Sequence, residues 1–385
     1  MSAAKNRPET ELQSAVKLAP KAHDWVLEME AYVPGKSSLD GVTDPVKLSS
    51  NESIYGASPH AVEAYGAAAE KMLRYPDANS VALRTAIADV HGLDAEKIVC
   101  GTGSDELLTL LIHTYAGPGD DIIYSQYGFA LYAVQANAVG ATGVAVPNKN
   151  WVADVDGILE AVTEDTKLVF VDNPNNPTGA YVCWDEIQRL QANLPEDVLL
   201  VLDGAYAECV TAEDFDAGAS LVEKYENVVM TRTFSKMYAL AGLRVGWAYA
   251  PPAIIDVLNR VRMPFNVGVA AGPAAVEAVK DQAHLKAAVA FTAEWRDWMT
   301  TELTTLGLDV VDSQTNFLLV AFPAGNMCAA ACNEYLMGKG YLVRALPALP
   351  DHLRISVGTA EQNNCLLSTS PSPPARTRPR TPSSA

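Results

Sequence analysis

Lys236 lies in Thr233-Phe234-Ser235-Lys236, after a β-like run over 228–231 and ahead of Gly242-Leu243-Arg244. Alone, a lysine reads as a surface cation, because lysine is almost never buried unpaired. Asp203 changes that reading. It closes the apolar run 198–202, with Tyr206 three residues on, and an acid at the C-terminal end of a parallel strand is where α/β ligand sites form. Asn173-Pro174-Asn175-Asn176-Pro177-Thr178-Gly179 follows another such run. Two Asn-Pro pairs and a glycine make a rigid turn that can present the Asn176 amide. Gly101-Thr102-Gly103-Ser104-Asp105 follows a further run and opens a helical stretch, where backbone N–H groups can hold one phosphate. Each piece alone has a plain alternative, as a helix cap, a turn residue or an ordinary strand-to-helix connection. In order along one chain they meet the needs of pyridoxal 5′-phosphate. Lys236 would bind its aldehyde and Asp203 would keep its ring nitrogen protonated. Asn176 and Tyr206 would face its phenolic oxygen, and Gly103, Ser104, Asp105, Ser235 and Arg244 would form the phosphate cup.

Other chemistries find little support. Gly35-Lys36-Ser37 ends like a phosphate-binding loop, but that motif needs glycine at position 30, which is Glu30. Gly101-Thr102-Gly103 has Glu106 where a dinucleotide fingerprint wants its third glycine, and no G-x-S-x-G occurs. The six cysteines form no C-x-x-C pair and the histidines have no H-E-x-x-H spacing, so no metal is expected and the thiols read as reduced.

The elements that must position these residues follow from periodicity. The spacing predicts a helix over 58–73, with Ser58 as cap and Pro59 at its first position. Short β-like runs at 97–100, 121–124, 143–146, 168–171, 198–202 and 228–231 alternate with helical stretches, which implies a mostly parallel sheet covered on both faces. An Ala-rich helical run over 270–306 precedes β-like pieces at 316–321, 341–344 and 353–357, a smaller α+β unit. The expected division is a loose arm at 1–24, the start of the small unit at 25–59, a large α/β unit at 60–268 and the rest of the small one at 269–365. Residues 366–385 hold five prolines and five serines and no carboxylate. That composition cannot bury enough apolar surface to order itself, so they are expected to be a disordered tail.

Composition narrows the partners. The chain has 385 residues, of which 49% are hydrophobic and 19% charged, the composition of a globular protein. Lys plus Arg number 28 against 46 acids, a net charge of −18, which repels phosphate backbones and argues against nucleic acid. No apolar run approaches a membrane span and the N-terminus has no secretory apolar segment, so the expected location is the cytoplasm.

In this order the motifs resemble those of the fold-type I pyridoxal-phosphate aminotransferases, and within them the histidinol-phosphate and aromatic-accepting branch. The carrying segments are LSSNES from 48, RYPD from 74, GTGSDELL from 101, NPNNPTG from 173, DGAY from 203, TFSKMYALAGLRVGW from 233 and LPDHLRISVGT from 349. The likeness spans 25–364. It implies a three-layer α/β sandwich with a smaller domain, in a homodimer with shared active sites. The implied reaction is ping-pong amino transfer between a small-molecule amine and a 2-oxo acid, with histidinol phosphate and 2-oxoglutarate as the expected pair in histidine biosynthesis. A tyrosine or phenylalanine transaminase is the alternative. A decarboxylase or lyase of the same fold, and a non-catalytic effector-binding protein, stand further off. In this resemblance Lys236 also moves the substrate's Cα proton. Tyr127 stacks on the cofactor ring, Tyr75 reaches the neighbouring subunit's cofactor, and Arg354 clamps the substrate anion. Tyr32 and Arg344 line that anion site, and Asn51 lies near the substrate. The segment 345–350 is short and lacks the glycines usual there.

Overall fold

The computed structural model describes residues 20–29 and 36–368. Tyr32, most of the expected N-terminal arm and the tail beyond Ser368 lie outside the described residues.

Among the described residues the strands are β1 (Val46–Lys47), β2 (Ile98–Gly101), β3 (Asp121–Ser125), β4 (Thr142–Val146), β5 (Thr166–Asp172), β6 (Leu199–Asp203), β7 (Val228–Thr233), β8 (Gly246–Tyr249), β9 (Asp309–Val310), β10 (Phe317–Ala321), β11 (Tyr341–Leu342), β12 (Arg344–Leu346) and β13 (Leu349–Ser356). Strands β2 to β8 form one sheet in the order β2-β8-β7-β6-β5-β3-β4. From β7 through β4 every pairing is parallel, while β8 runs antiparallel to both β7 and β2. Sequence periodicity missed β8, a four-residue strand that opens on Gly246.

Side chains alternate between the faces of a strand, and both faces here are apolar. Leu168 and Phe170 of β5 pack in one core with Ile122, Val201 and Val229. Val169 and Val171 pack in the other with Ile123, Leu200 and Met230. A sheet buried on both sides presents its function only at its strand ends. The parallel strands point their C-terminal ends the same way, so Asp172 and Asp203 are register partners at the tips of β5 and β6.

A four-stranded antiparallel sheet, β12-β13-β10-β9, makes the second unit. Beside it β1 pairs in parallel with β11, which ties residues 46–47 to the C-terminal part of the chain. The Ala-rich run is two helices rather than one, Ala271–Lys280 and Gln282–Thr305. Asp281 breaks it because its side chain accepts from the His284 N–H as a cap and also from the Ser58 hydroxyl. Ser58 in turn caps the helix Pro59–Ala67. That helix ends at Ala67, short of the expected 73, and a single 3-10 turn follows. Among the described residues no helix is long and apolar enough to cross a membrane.

Three expected boundaries need correction. The helix Ala271–Lys280 packs Ala271, Ala275 and Val279 in the large sheet's core, so the large unit runs past 268. The start of the 25–59 segment docks on the large sheet's layer, because the Trp25 indole donates to the Ala138 carbonyl and lies over Gly140. By Lys36, whose ammonium reaches Met337 Sδ, the segment has joined the second unit. The composition places the start of the tail at 366, yet the last helix runs Ala360–Ser368 and buries Leu366. Its leucines complete the apolar cluster of Leu303, Leu336 and Ile355, a long-range contact that composition could not reveal. Leu366→Ala should therefore lower stability by about 2–4 kcal/mol, as for a buried leucine leaving a cavity. Equilibrium urea unfolding checks this, and an unchanged midpoint would mean that the helix is not docked.

Candidate active site

Two cavities meet at the C-terminal ends of the parallel strands. The smaller, about 240 Å³, is lined by Ser104, Asp105, Phe129, Asp172, Asn176, Asp203, Tyr206, Ser235, Lys236 and Arg244. The larger, about 520 Å³, extends to Arg344, Leu349 and Arg354. Phe129, Asn176, Tyr206 and Lys236 line both and so form the wall between them.

The small chamber has one end suited to an anion. Gly103 precedes the helix Ser104–Tyr115 with φ +77, and a Cβ there would strike the Arg244 guanidinium. Glycine therefore allows the helix N-terminus and Arg244 to converge. Arg244 donates to Ser235 Oγ at 3.1 Å and to Asp105 Oδ2 at 3.0 Å. Backbone N–H groups, a hydroxyl and a guanidinium thus face one point, a phosphate-sized cup.

Asp203 holds the opposite end. Its Oδ2 accepts from the Tyr132 hydroxyl at 2.8 Å and its Oδ1 from Thr231 Oγ1 at 3.0 Å. Burial pushes its pKa up to about 6, against these two donors, which favour the anion. Asp172 beside it is also buried and is pushed up to about 7, first by burial and further by the Asp203 charge. Asp172 accepts from the Asn175 amide and from the Asn176 N–H, both at 3.0 Å, and so braces the Asn-Pro turn. Two buried carboxyls side by side disfavour each other's ionisation and suit a cationic ligand.

The Lys236 ammonium lies 5.3 Å from the centroid of the Tyr206 ring. Tyr206 accepts at its hydroxyl from Asn51 Nδ2 at 2.8 Å. Arg354 donates to Asn176 Oδ1 at 2.5 Å and to the Ser49 carbonyl at 2.8 Å. The oxygen end of the Asn176 amide is taken by Arg354, which leaves its NH2 as the donor end. Arg344 faces Arg354 across the β12–β13 register, and both line the larger cavity.

Tyr127 is not among the residues lining the chamber beside Asp203. Its N–H is held by Asn148 Oδ1, its ring leans on Trp151 with centroids 5.8 Å apart, and it lines the larger cavity. Among the described residues, the aromatic ring lining the chamber beside Asp203, apart from Tyr206, is that of Phe129. The turn after β3 decides which aromatic points inward, and both rings look alike in sequence. Tyr75 is not at its own chain's chamber. It is 82% exposed and stacks on Phe265, against a separate cavity of about 670 Å³. Sequence reasoning also missed Tyr132, Thr231 and Asp172. Position 172 closes a strand immediately before the Asn-Pro turn, just as position 203 closes β6, and that signal could have found it.

The sequence model for aminotransferase class I and II matches residues 43–369. The histidinol-phosphate aminotransferase of Paramagnetospirillum magneticum is 48% identical over 352 residues, 91% of this chain and 97% of that one. The enzyme of the same name from Dinoroseobacter shibae is 49% identical over 344 residues, 89% and 94% of the two chains. The crystal structure of histidinol-phosphate aminotransferase from Sinorhizobium meliloti in complex with pyridoxal-5′-phosphate superposes with a TM-score of 0.85 at 28% identity, covering 91% of this chain and 97% of that one.

Proposed function

The chain belongs to the class I and II aminotransferase family, and from that premise we propose that it transfers the amino group of histidinol phosphate to 2-oxoglutarate with pyridoxal phosphate as cofactor. The observation that carries the substrate reading is the pair Arg344 and Arg354, opposed across two strands at the end of the cavity that adjoins Lys236. In a chain of net charge −18, this local positive charge suits a strongly anionic substrate group. Tyr124, Tyr127 and Phe129 line the same cavity, a surface for a flat ring such as imidazole.

The chamber's donor set fits the cofactor. The helix start at Ser104, with Ser235 and Arg244, would hold its phosphate. Asp203 would pair with its ring N–H, Tyr206 and Asn176 would donate to its phenolic oxygen, and Phe129 would lie against its ring. When bound, pyridoxal phosphate supplies an aldehyde that takes up the amino group and a protonated ring that draws electron density from the substrate's Cα. Lys236 holds the cofactor between turnovers. Its Nζ then takes the proton from Cα of the amine and, in the second half-reaction, returns one to Cα of the incoming oxo acid. Arg354, braced by Asn176 and Ser49, grips phosphate in one half-reaction and a carboxylate in the other, since a guanidinium fork pairs with either. Asn51 steadies the Tyr206 hydroxyl.

The working form is a homodimer in the cytoplasm, serving histidine biosynthesis. Exposed Met72, Leu73, Tyr75 and Met263 are the apolar surface that a second copy would cover, and Tyr75 would then reach the partner's cofactor. The large unit runs from 60 through the helix Ala271–Lys280, which packs in its core, and the small one joins β1 to the chain from Gln282 to Ser368.

Steady-state kinetics with two amines test the reading. Arg354→Lys keeps the charge and loses the fork, so both half-reactions should weaken, each by roughly 1.5–3 kcal/mol. Arg344→Ala should slow histidinol phosphate far more than phenylalanine, because only the former brings a phosphate to that end. Equal effects on both amines would favour the second reading, an aromatic amino-acid transaminase, which the aromatic wall also suits.

A further inference from the structure

Building on the cofactor reading above, we propose that Tyr132 is a positioning residue, whose hydroxyl keeps the Asp203 carboxylate ionised and aimed at the ring nitrogen of the cofactor. Tyr132 sits at the start of the helix Leu131–Ala138 and is fully buried. Its ring is fixed from two sides. It stacks on Phe170 of β5 with centroids 4.6 Å apart, and Phe129 meets it edge-on at 5.9 Å. With the ring so held, the hydroxyl has one place to go, Asp203 Oδ2 at 2.8 Å.

Phenylalanine would fill the same packing site. A buried phenol is tolerated only because its O–H finds a partner, so the hydroxyl serves Asp203 rather than the core. Thr231 does the same for Oδ1 from β7. Each carboxylate oxygen thus takes a neutral side-chain donor, the Ala205 N–H adds to them, and lone pairs remain for a further one. Neutral donors stabilise the anion without supplying the counter-charge, which leaves that role to a cationic ligand. The ionisable groups facing Asp203 are Asp172 on β5, Asp105 at the start of the Ser104–Tyr115 helix, and Lys236 and Arg244 around the chamber. The two acids oppose its ionisation, and the hydroxyls act against them.

The test uses Tyr132→Phe and Thr231→Val apoprotein, titrated with pyridoxal phosphate from pH 5.5 to 8.5 beside the wild type. Removing either donor should make Asp203 harder to ionise, so the acid limb of cofactor affinity moves to higher pH. At pH 6 affinity should fall roughly tenfold, the loss of a hydrogen bond to a charged group, and at pH 8.5 it should lie within about twofold of wild type. The slow half-reaction at pH 6 should recover by pH 8.5 in the same way. A pH-independent loss, or curves that overlay the wild type, would overturn the proposal while leaving the cofactor reading intact. Wild-type protein that takes up no pyridoxal phosphate at any pH would overturn both.

Discussion

Lys236→Ala should abolish nearly all amino transfer, by about four orders of magnitude, while leaving the fold intact. Two losses combine in that figure. A positioned general base contributes typically 10²–10⁴-fold, and the covalent hold on the cofactor goes with the amine. Among the described residues that line the two cavities, Lys236 is the one lysine, so no neighbour stands ready to replace it. The wild-type protein with cofactor should be yellow. Borohydride should leave the cofactor attached to a single peptide containing Lys236, and the variant should release its cofactor on denaturation after the same treatment. Label on a different lysine, or turnover near wild type in the variant, would contradict the role.

Asp203→Asn should slow amino transfer at least about a hundredfold and, in the apoprotein, raise stability at alkaline pH. The first effect comes from the loss of an ionic partner to the cofactor's ring. Such charge-assisted bonds are worth several kcal/mol in a buried site, and each 1.4 kcal/mol is a factor of ten. The second follows from linkage. Burial raises the Asp203 pKa to about 6, above its ordinary value of 3.8. The folded protein therefore binds a proton that the unfolded chain has released between those values. Stability from this group is full below about pH 4 and is lost as pH rises through 6. A neutral asparagine removes that loss. Apoprotein carrying Asp203→Asn should melt higher than wild-type apoprotein at pH 8 and show little difference at pH 4. Added cofactor should reverse the order at pH 8, because only the wild type regains a partner for its buried charge. A variant that is less stable than wild type at pH 8 without cofactor would refute the linkage.

Features that depend on neighbours along the chain follow from local sequence. Apolar runs over 121–124, 168–171 and 228–231 fall inside β3, β5 and β7, and the run over 198–202 overlaps β6 but for its first residue. An acid, an Asn-Pro turn or a Ser-Lys pair directly after such a run must lie at the mouth of the sheet, because all the parallel strands end there. Asp203, Asn176, Ser235 and Lys236 were legible for that reason, as was Ser104 at a helix start.

What only the tertiary structure decided depends on partners far off in sequence. Register sets Asp172 beside Asp203 and Arg344 beside Arg354, and no local pattern carries register across separate strands. Side-chain direction in the turn after β3 sends Phe129 rather than Tyr127 into the chamber. The stacking of Tyr132 on Phe170 turns its hydroxyl to a carboxylate 71 residues away. The last helix continues to Ser368 because Leu366 finds an apolar cluster built from three other segments. Local chemistry placed the reactive groups at the strand ends, and long-range packing chose which of their neighbours tune them.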